Sequence, residues 1–95
     1  MDPISEKSWQ VYIIVCSDDS LYTGITINIE RRLSQHKAGR GAKYFRGRQP
    51  VKVIYLESGH DWGTAVKRER RIKMMKHNEK LLLASSELNE IKDIT

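Results

Sequence analysis

Arg31 and Arg32 are adjacent, yet helical geometry sends them to different sides of the chain. Asn28 suits an N-cap, since its side chain can accept from the open amides of a first turn, and Gly39 suits a stop. IERRLSQHKA between them therefore reads as a helix. At ~100° per residue with Ile29 at zero, Leu33 falls near ~40°, His36 near ~−20° and Arg32 near ~−60°, whereas Arg31 lands near ~200°. Arg31 faces water. Arg32 and His36 form an i, i+4 pair at the edge of the apolar stripe, where a forked donor and an imidazole could meet a phosphate. Taken singly, they also read as a surface arginine and a half-buried histidine covering apolar area.

A second helix, capped by Asp61 and running from Trp62 to about His77, has a stripe made by Trp62, Ala65, Val66, Ile72 and the stem of Lys73. Glu69 lies almost centrally in that stripe. Its neighbours, KRERRIK, are otherwise basic or apolar, and an unpaired buried carboxylate costs several kcal/mol or takes up a proton. It needs a partner: Arg32 or a nearby lysine in an ion pair, or a hard cation such as Mg²⁺.

Two tyrosines stand on the strands WQVYIIVC and LYTGIT, and the loop between those strands decides whether they share a face. A two-residue Asp18-Asp19 turn puts Tyr12 and Tyr22 on opposite faces. A three-residue loop with Asp19 in the left-handed region pairs Cys16 with Ser20 and Tyr12 with Gly24, so that both phenols share a face as diagonal neighbours roughly 7–8 Å apart. Gly24 would then leave the Tyr12 ring uncovered and open to a ligand. Each tyrosine alone could equally be a core residue with its hydroxyl at the rim. Further along, GRGAKYFRGRQP concentrates basic residues and two aromatics in a glycine-rich loop. There Arg40, Lys43, Arg46 and Arg48 suit a nucleic-acid backbone, and Tyr44 and Phe45 suit an unpaired base, unless the aromatics fold back on the core.

The elements that must position these groups follow in the order β-β-α-β-α-α, with VKVIYLE as third strand and NEKLLLASSELNEIKDI as last helix and tail. This order indicates an α/β sandwich with a small three-stranded, largely antiparallel sheet flanked by helices. Residues 1–8 read as a disordered lead-in, 9–84 as the domain and 85–95 as the end of the helix and a tail. At 95 residues, 39% hydrophobic and 31% charged, the chain suits one small core. No apolar run approaches the ~18 residues of a membrane span, and MDPISEKSW lacks the apolar region of a secretory signal, so a cytoplasmic location is expected. Cys16 is the one cysteine, which excludes an internal disulfide and a cysteine-based zinc site. Seventeen Lys and Arg against twelve Asp and Glu give +5, which favours a polyanionic partner.

Together these positions resemble the GIY-YIG nuclease superfamily, which includes homing endonucleases, a domain of bacterial excision repair and some restriction enzymes. Gln10-Val11-Tyr12 and Tyr22-Thr23-Gly24 correspond to its two triplets. Arg32 follows Tyr22, and His36 follows Arg32, at the family's spacing, while RERRIK resembles the pattern that holds its glutamate, here Glu69. The first triplet keeps only its tyrosine, and neither Asn78 nor Asn89 aligns with the asparagine that many members carry. The resemblance implies a DNA endonuclease with Tyr12, Tyr22, Arg32, His36 and Glu69 as catalytic residues and one Mg²⁺ or Mn²⁺ on Glu69. In this reading Arg32 and the metal lower the pKa of Tyr12, the general base, while His36 relays the proton and Tyr22 orients water or phosphate. The alternatives are a nucleic-acid-binding module that has lost cleavage and, in a third class, a protein-interaction domain.

Overall fold

A computed structural model describes residues 7–40 and 42–91. Three strands, β1 (Trp9–Cys16), β2 (Leu21–Thr26) and β3 (Pro50–His60), form one antiparallel sheet in the order β2-β1-β3. Three helices pack with it: α1 (Ile29–Lys37), α2 (Trp62–Lys73) and α3 (His77–Ala84). The central strand explains the apolar residues at both parities of WQVYIIVC, because Val11, Tyr12, Ile13 and Ile14 are all fully buried. Tyr12 and Ile14 face α1, packing with Ile29, Leu33 and Phe45. Val11 and Ile13 face α2, packing with Ala65 and Ile72. The sheet is thus covered on both faces, and the two phenols belong to the α1 side.

The β1–β2 loop adopts the three-residue form. Asp19 has φ 66°, the Cys16 amide donates to the Ser20 carbonyl at 2.9 Å, and Asp18 Oδ1 accepts from the Ser20 amide at 3.1 Å. The register that follows sets Tyr12 opposite Gly24 and Ile14 opposite Tyr22. At the start of α1 the Asn28 side chain accepts from the Arg31 amide at 3.1 Å, while the Gln10 side chain takes the Ile29 amide at 3.1 Å. A strand residue therefore holds the entry of the helix that carries Arg32 and His36.

Two boundaries and the placement of one side chain differ from the sequence reading. β3 continues to His60, beyond Glu57. α2 stops at Lys73, short of His77, because the chain restarts a helix there: the Lys76 amide donates to Glu79 Oε1 at 2.7 Å, which caps α3. Trp62, expected in the buried stripe of α2, is instead 60% exposed at its first turn. Of the expected lead-in, residues 1–6 lie outside the described residues, as do 92–95 of the expected tail.

Residues 89 and 90 are bound along β3. Asn89 accepts from the Leu56 amide at 3.0 Å and donates to the carbonyls of Ile54 at 2.7 Å and Ala84 at 2.8 Å. The Glu90 amide donates to the Leu56 carbonyl at 2.8 Å. Asn89 thus covers an otherwise open sheet edge and ties the end of α3 to it. Asn89→Ala should destabilise the fold by about 2 kcal/mol in urea unfolding, because it leaves four backbone groups, the amides of Leu56 and Ile91 and the carbonyls of Ile54 and Ala84, without this partner at once. Unchanged stability would mean that water replaces the side chain without loss.

Candidate functional site

Gly24 is the position around which the site is built. A Cβ placed there would meet Tyr12 Oη at 2.5 Å and Tyr12 Cζ at 2.7 Å, so the tyrosine ring lies down across the bare backbone of the edge strand. Tyr12 is consequently buried, whereas the sequence suggested a ring left open by the missing side chain. Gly24 gives the ring a bed. Laid this way, the phenol reaches His36 on α1, with Oη and Nε2 3.0 Å apart.

Donor count assigns the direction of that bond. Arg32 lowers the Tyr12 pKa and has no acceptor of its own, so a guanidinium beside the phenol oxygen favours the arrangement in which the hydroxyl donates to His36 Nε2. In that arrangement His36 is the neutral tautomer protonated on Nδ1, an atom that is buried and has no hydrogen-bond partner among the described residues. Burial, with the Arg32 charge adding to it, pushes the His36 pKa down to about 4, against a smaller opposing effect of the Arg40 backbone. Burial also pushes the Tyr12 phenol up, helped by Tyr22 and Glu69, and Arg32 only partly offsets the rise. The expected lowering of the Tyr12 pKa is therefore reversed in the protein on its own. Desolvation outweighs the guanidinium, and the pair rests neutral.

Around this pair the rings form a cluster. Tyr22 stands 6.2 Å from Tyr12 and 5.4 Å from His36 between centroids, and Phe45 closes over His36 at 4.3 Å and Tyr22 at 4.9 Å. Phe45 is buried, so the stacking role suggested for it does not hold; a 3₁₀ turn (Lys43–Phe45) folds it inward to shield the histidine. Tyr44 stays half-buried, 5.3 Å from Tyr22, with the Arg48 guanidinium 4.2 Å above its ring. Arg48 also donates to Asp18 at 2.9 Å and to the Tyr44 carbonyl at 3.3 Å, which pins the loop to the β-hairpin. Arg40, Lys43 and Arg46 remain exposed. Of the basic set, Arg48 is a structural clamp and the other three are open charge.

Arg32 and Glu69 reach Tyr12 from different sides of the sheet. Arg32 is half-buried and donates to Gln35 Oε1 at 3.0 Å. Glu69 comes from α2, which packs on the far face of the sheet, and its charge adds slightly to the rise of the Tyr12 pKa. The Glu69 side chain is 19% exposed, and its ion-pair partner is Lys73 at 3.3 Å on the next turn, not Arg32. His36 and Tyr22 are thus in direct contact with Tyr12, while Arg32 and Glu69 act on the phenol through their charges.

Residues 8–81 match the family described as the GIY-YIG catalytic domain. The chain belongs to the GIY-YIG family. It is similar to small proteins of that kind: a UPF0213 protein of Syntrophus aciditrophicus is 51% identical over 74 residues, covering 77% of this chain and 85% of that one. A UPF0213 protein of Clostridium perfringens is 51% identical over 76 residues, covering 80% and 82%. The solution NMR structure of a UPF0213 protein from Bacillus halodurans shares the fold with a TM-score of 0.54 at 34% identity, over 86% of this chain and 87% of that one. As a nuclease family, GIY-YIG implies a nucleic-acid substrate.

In this GIY-YIG chain the two triplets have distinct duties. The tyrosine of the first supplies the buried phenol, the glycine of the second supplies the space for it, and the tyrosine of the second is the more exposed ring. Asn89 is committed to β3, and Asn78 is exposed on α3. Sequence reasoning did not find Gln35, which holds Arg32; its i+3 spacing from that residue was the available signal.

The depressed His36 pKa links stability to pH. A histidine near 6.5 when unfolded and about 4 when folded is neutral in the native state, so its contribution is full above pH 6.5 and is lost as pH falls towards 4. Compared with His36→Gln, the wild type should therefore lose up to ~3 kcal/mol more stability between pH 7 and pH 4 in denaturant titrations. Parallel pH profiles for the two proteins would contradict the neutral, buried histidine.

Proposed function

We propose that the protein is a divalent-metal-dependent endonuclease of the cytoplasm that hydrolyses phosphodiester bonds in DNA, with branched or nicked structures from repair or recombination as its substrates. The buried Tyr12–His36 pair, with the charges of Arg32 and Glu69 acting on its phenol, is the observation that supports this reading. Hydrolysis needs a water relieved of a proton, a donor for the charge that builds on phosphorus, and a proton for the departing oxygen.

Arg32 supports the second requirement, since its remaining N–H donors can hold phosphate oxygens in a fork. The first falls to the relay. As the water oxygen bonds to phosphorus, its proton passes to Tyr12 Oη while the Tyr12 proton passes to His36 Nε2; the phosphorus–oxygen bond on the far side breaks, the leaving oxygen takes a proton from solvent water, and His36 later returns its proton to solvent. A histidine with a pKa near 4 is a weak acceptor at rest. A phosphate paired with Arg32 neutralises one of the charges that hold it down, so substrate itself raises the basicity of the relay. Tyr22, the more exposed phenol, would orient water or phosphate.

Glu69 fits a hard cation. It is a half-buried carboxylate whose partner, Lys73, is half-exposed and paired at i, i+4, an interaction worth little against a divalent charge. Mg²⁺ or Mn²⁺ bound there would keep most of its waters and supply positive charge to the phosphate. Arg40, Lys43 and Arg46 would hold the DNA backbone beside the site.

A non-catalytic nucleic-acid-binding module is the second reading, favoured by one feature: Tyr12 is buried and its phenol is held neutral. Purified protein incubated with branched, nicked and duplex DNA, with and without Mg²⁺ or Mn²⁺, separates the two. Cleavage should require the metal. Glu69→Gln should abolish it while salt-sensitive binding survives, and Arg32→Ala should slow it on the order of 10²-fold or more. Neither variant should melt far from the wild type, because the two residues are not each other's ion-pair partners. Salt-sensitive binding without any metal-dependent nicking by the wild type would leave the binding module.

A further inference from the structure

A cavity of about 310 Å³ opens beside Arg32, between the start of β1, the end of β2 and the first turns of α1. None of Tyr12, Tyr22, His36 and Phe45 lines it, and the relay leaves it unused. Its size is at the lower end for ligand pockets, which suits one residue of a polymer.

The walls differ in chemistry. Trp9 and Ile27 give an apolar side, with Ile27 exposed at the end of β2. Facing them are Asn28, Gln35 and the exposed Arg31. Both side-chain amides already use their oxygens internally: Asn28 Oδ1 accepts from the Arg31 amide and Gln35 Oε1 from Arg32. Their NH₂ groups are left over, with no hydrogen-bond partner among the described residues. The pocket therefore offers the edge of a half-buried indole that also packs on the α2-side core, two sets of unengaged donors and the Arg31 guanidinium next to the arginine that would hold the scissile phosphate.

We infer that this pocket receives one nucleotide of the substrate strand, next to the phosphate at Arg32, with its base taken out of the strand's stack and placed against Trp9. The base's carbonyl and ring-nitrogen acceptors would meet the NH₂ groups of Asn28 and Gln35, and the next phosphate along the strand would meet Arg31. Arg31 and Arg32, sent to different sides by the helix, then contact successive phosphates. An unpaired or easily unpaired base would be preferred, since a base stacked in a duplex cannot enter. The inference rests on the nucleic-acid reading above and extends it to the class of substrate accepted.

Trp9 is its own reporter. In a Trp62→Phe background, which removes the exposed second tryptophan, its fluorescence can be titrated with a single-stranded deoxyadenosine trinucleotide in EDTA. Quenching is expected, and a trinucleotide with an abasic central residue should bind about 10-fold more weakly. Arg31→Ala should weaken the intact trinucleotide by a similar factor. So should Asn28→Asp, which keeps the helix cap but brings a carboxylate into the pocket. Inorganic phosphate should leave the fluorescence unchanged. Equal binding of the intact and abasic trinucleotides, no response from Trp9, or wild-type affinity in both variants would overturn the inference. EDTA keeps this test apart from catalysis: nicking without a Trp9 response refutes the pocket alone, and a Trp9 response without nicking refutes the nuclease alone.

Discussion

The Tyr12 ring can lie across β2 only because residue 24 has no side chain, and the site depends on that contact. A Cβ at Gly24 would fall 2.5 Å from the phenol oxygen, so the ring would have to stand up or slide away. Lying flat, it delivers its hydroxyl 3.0 Å from His36 Nε2 and comes under the charges of Arg32 on one side and Glu69 on the other. Two strands and two helices thereby act on one oxygen atom. The three-residue β-hairpin loop comes before all of this: a register shifted by one residue would put Tyr12 and Gly24 out of line and send the phenols to opposite faces.

Burial sets the electrical state of the pair. Phe45 above His36 and the sheet beneath Tyr12 keep water out, so neither group ionises readily although a guanidinium lies alongside. The basic loop has a double part in this. Arg48 clamps it to Asp18 and Tyr44, which holds Phe45 in place, and its exposed cations are left to face a polyanion. Positive charge outside and a dry, neutral relay inside are two results of one loop.

Periodicity and turn chemistry were enough to assign faces. The alternation in LYTGIT, the left-handed Asp19 and the angles along α1 are local properties, and from them the shared face of the tyrosines and the edge position of Arg32 could be read, whereas His36, expected at the edge as well, is fully buried. Contacts distant in sequence were not legible. That the Tyr12 ring would recline on Gly24, that Phe45 would turn inward and that Asn89 would reach back to Ile54 and Leu56 each depend on how separate elements meet. The inward tilt of Glu69 was visible from its stripe, but its partner was not, because Arg32 and Lys73 satisfied the same charge argument. α2 ended early for a reason encoded beyond its own stripe, in the Glu79 that caps the next helix.

Imidazole ¹⁵N NMR of His36 at neutral pH, compared between the wild type and Gly24→Ala, tests the central claim most directly. The wild type should show a neutral ring protonated on Nδ1, with Nε2 accepting the Tyr12 hydroxyl. In Gly24→Ala the displaced phenol should lose that bond, and the Nε2 resonance should move to that of a free acceptor or of the other tautomer. An identical His36 spectrum in both proteins, or a wild-type ring protonated on both nitrogens, would contradict the account.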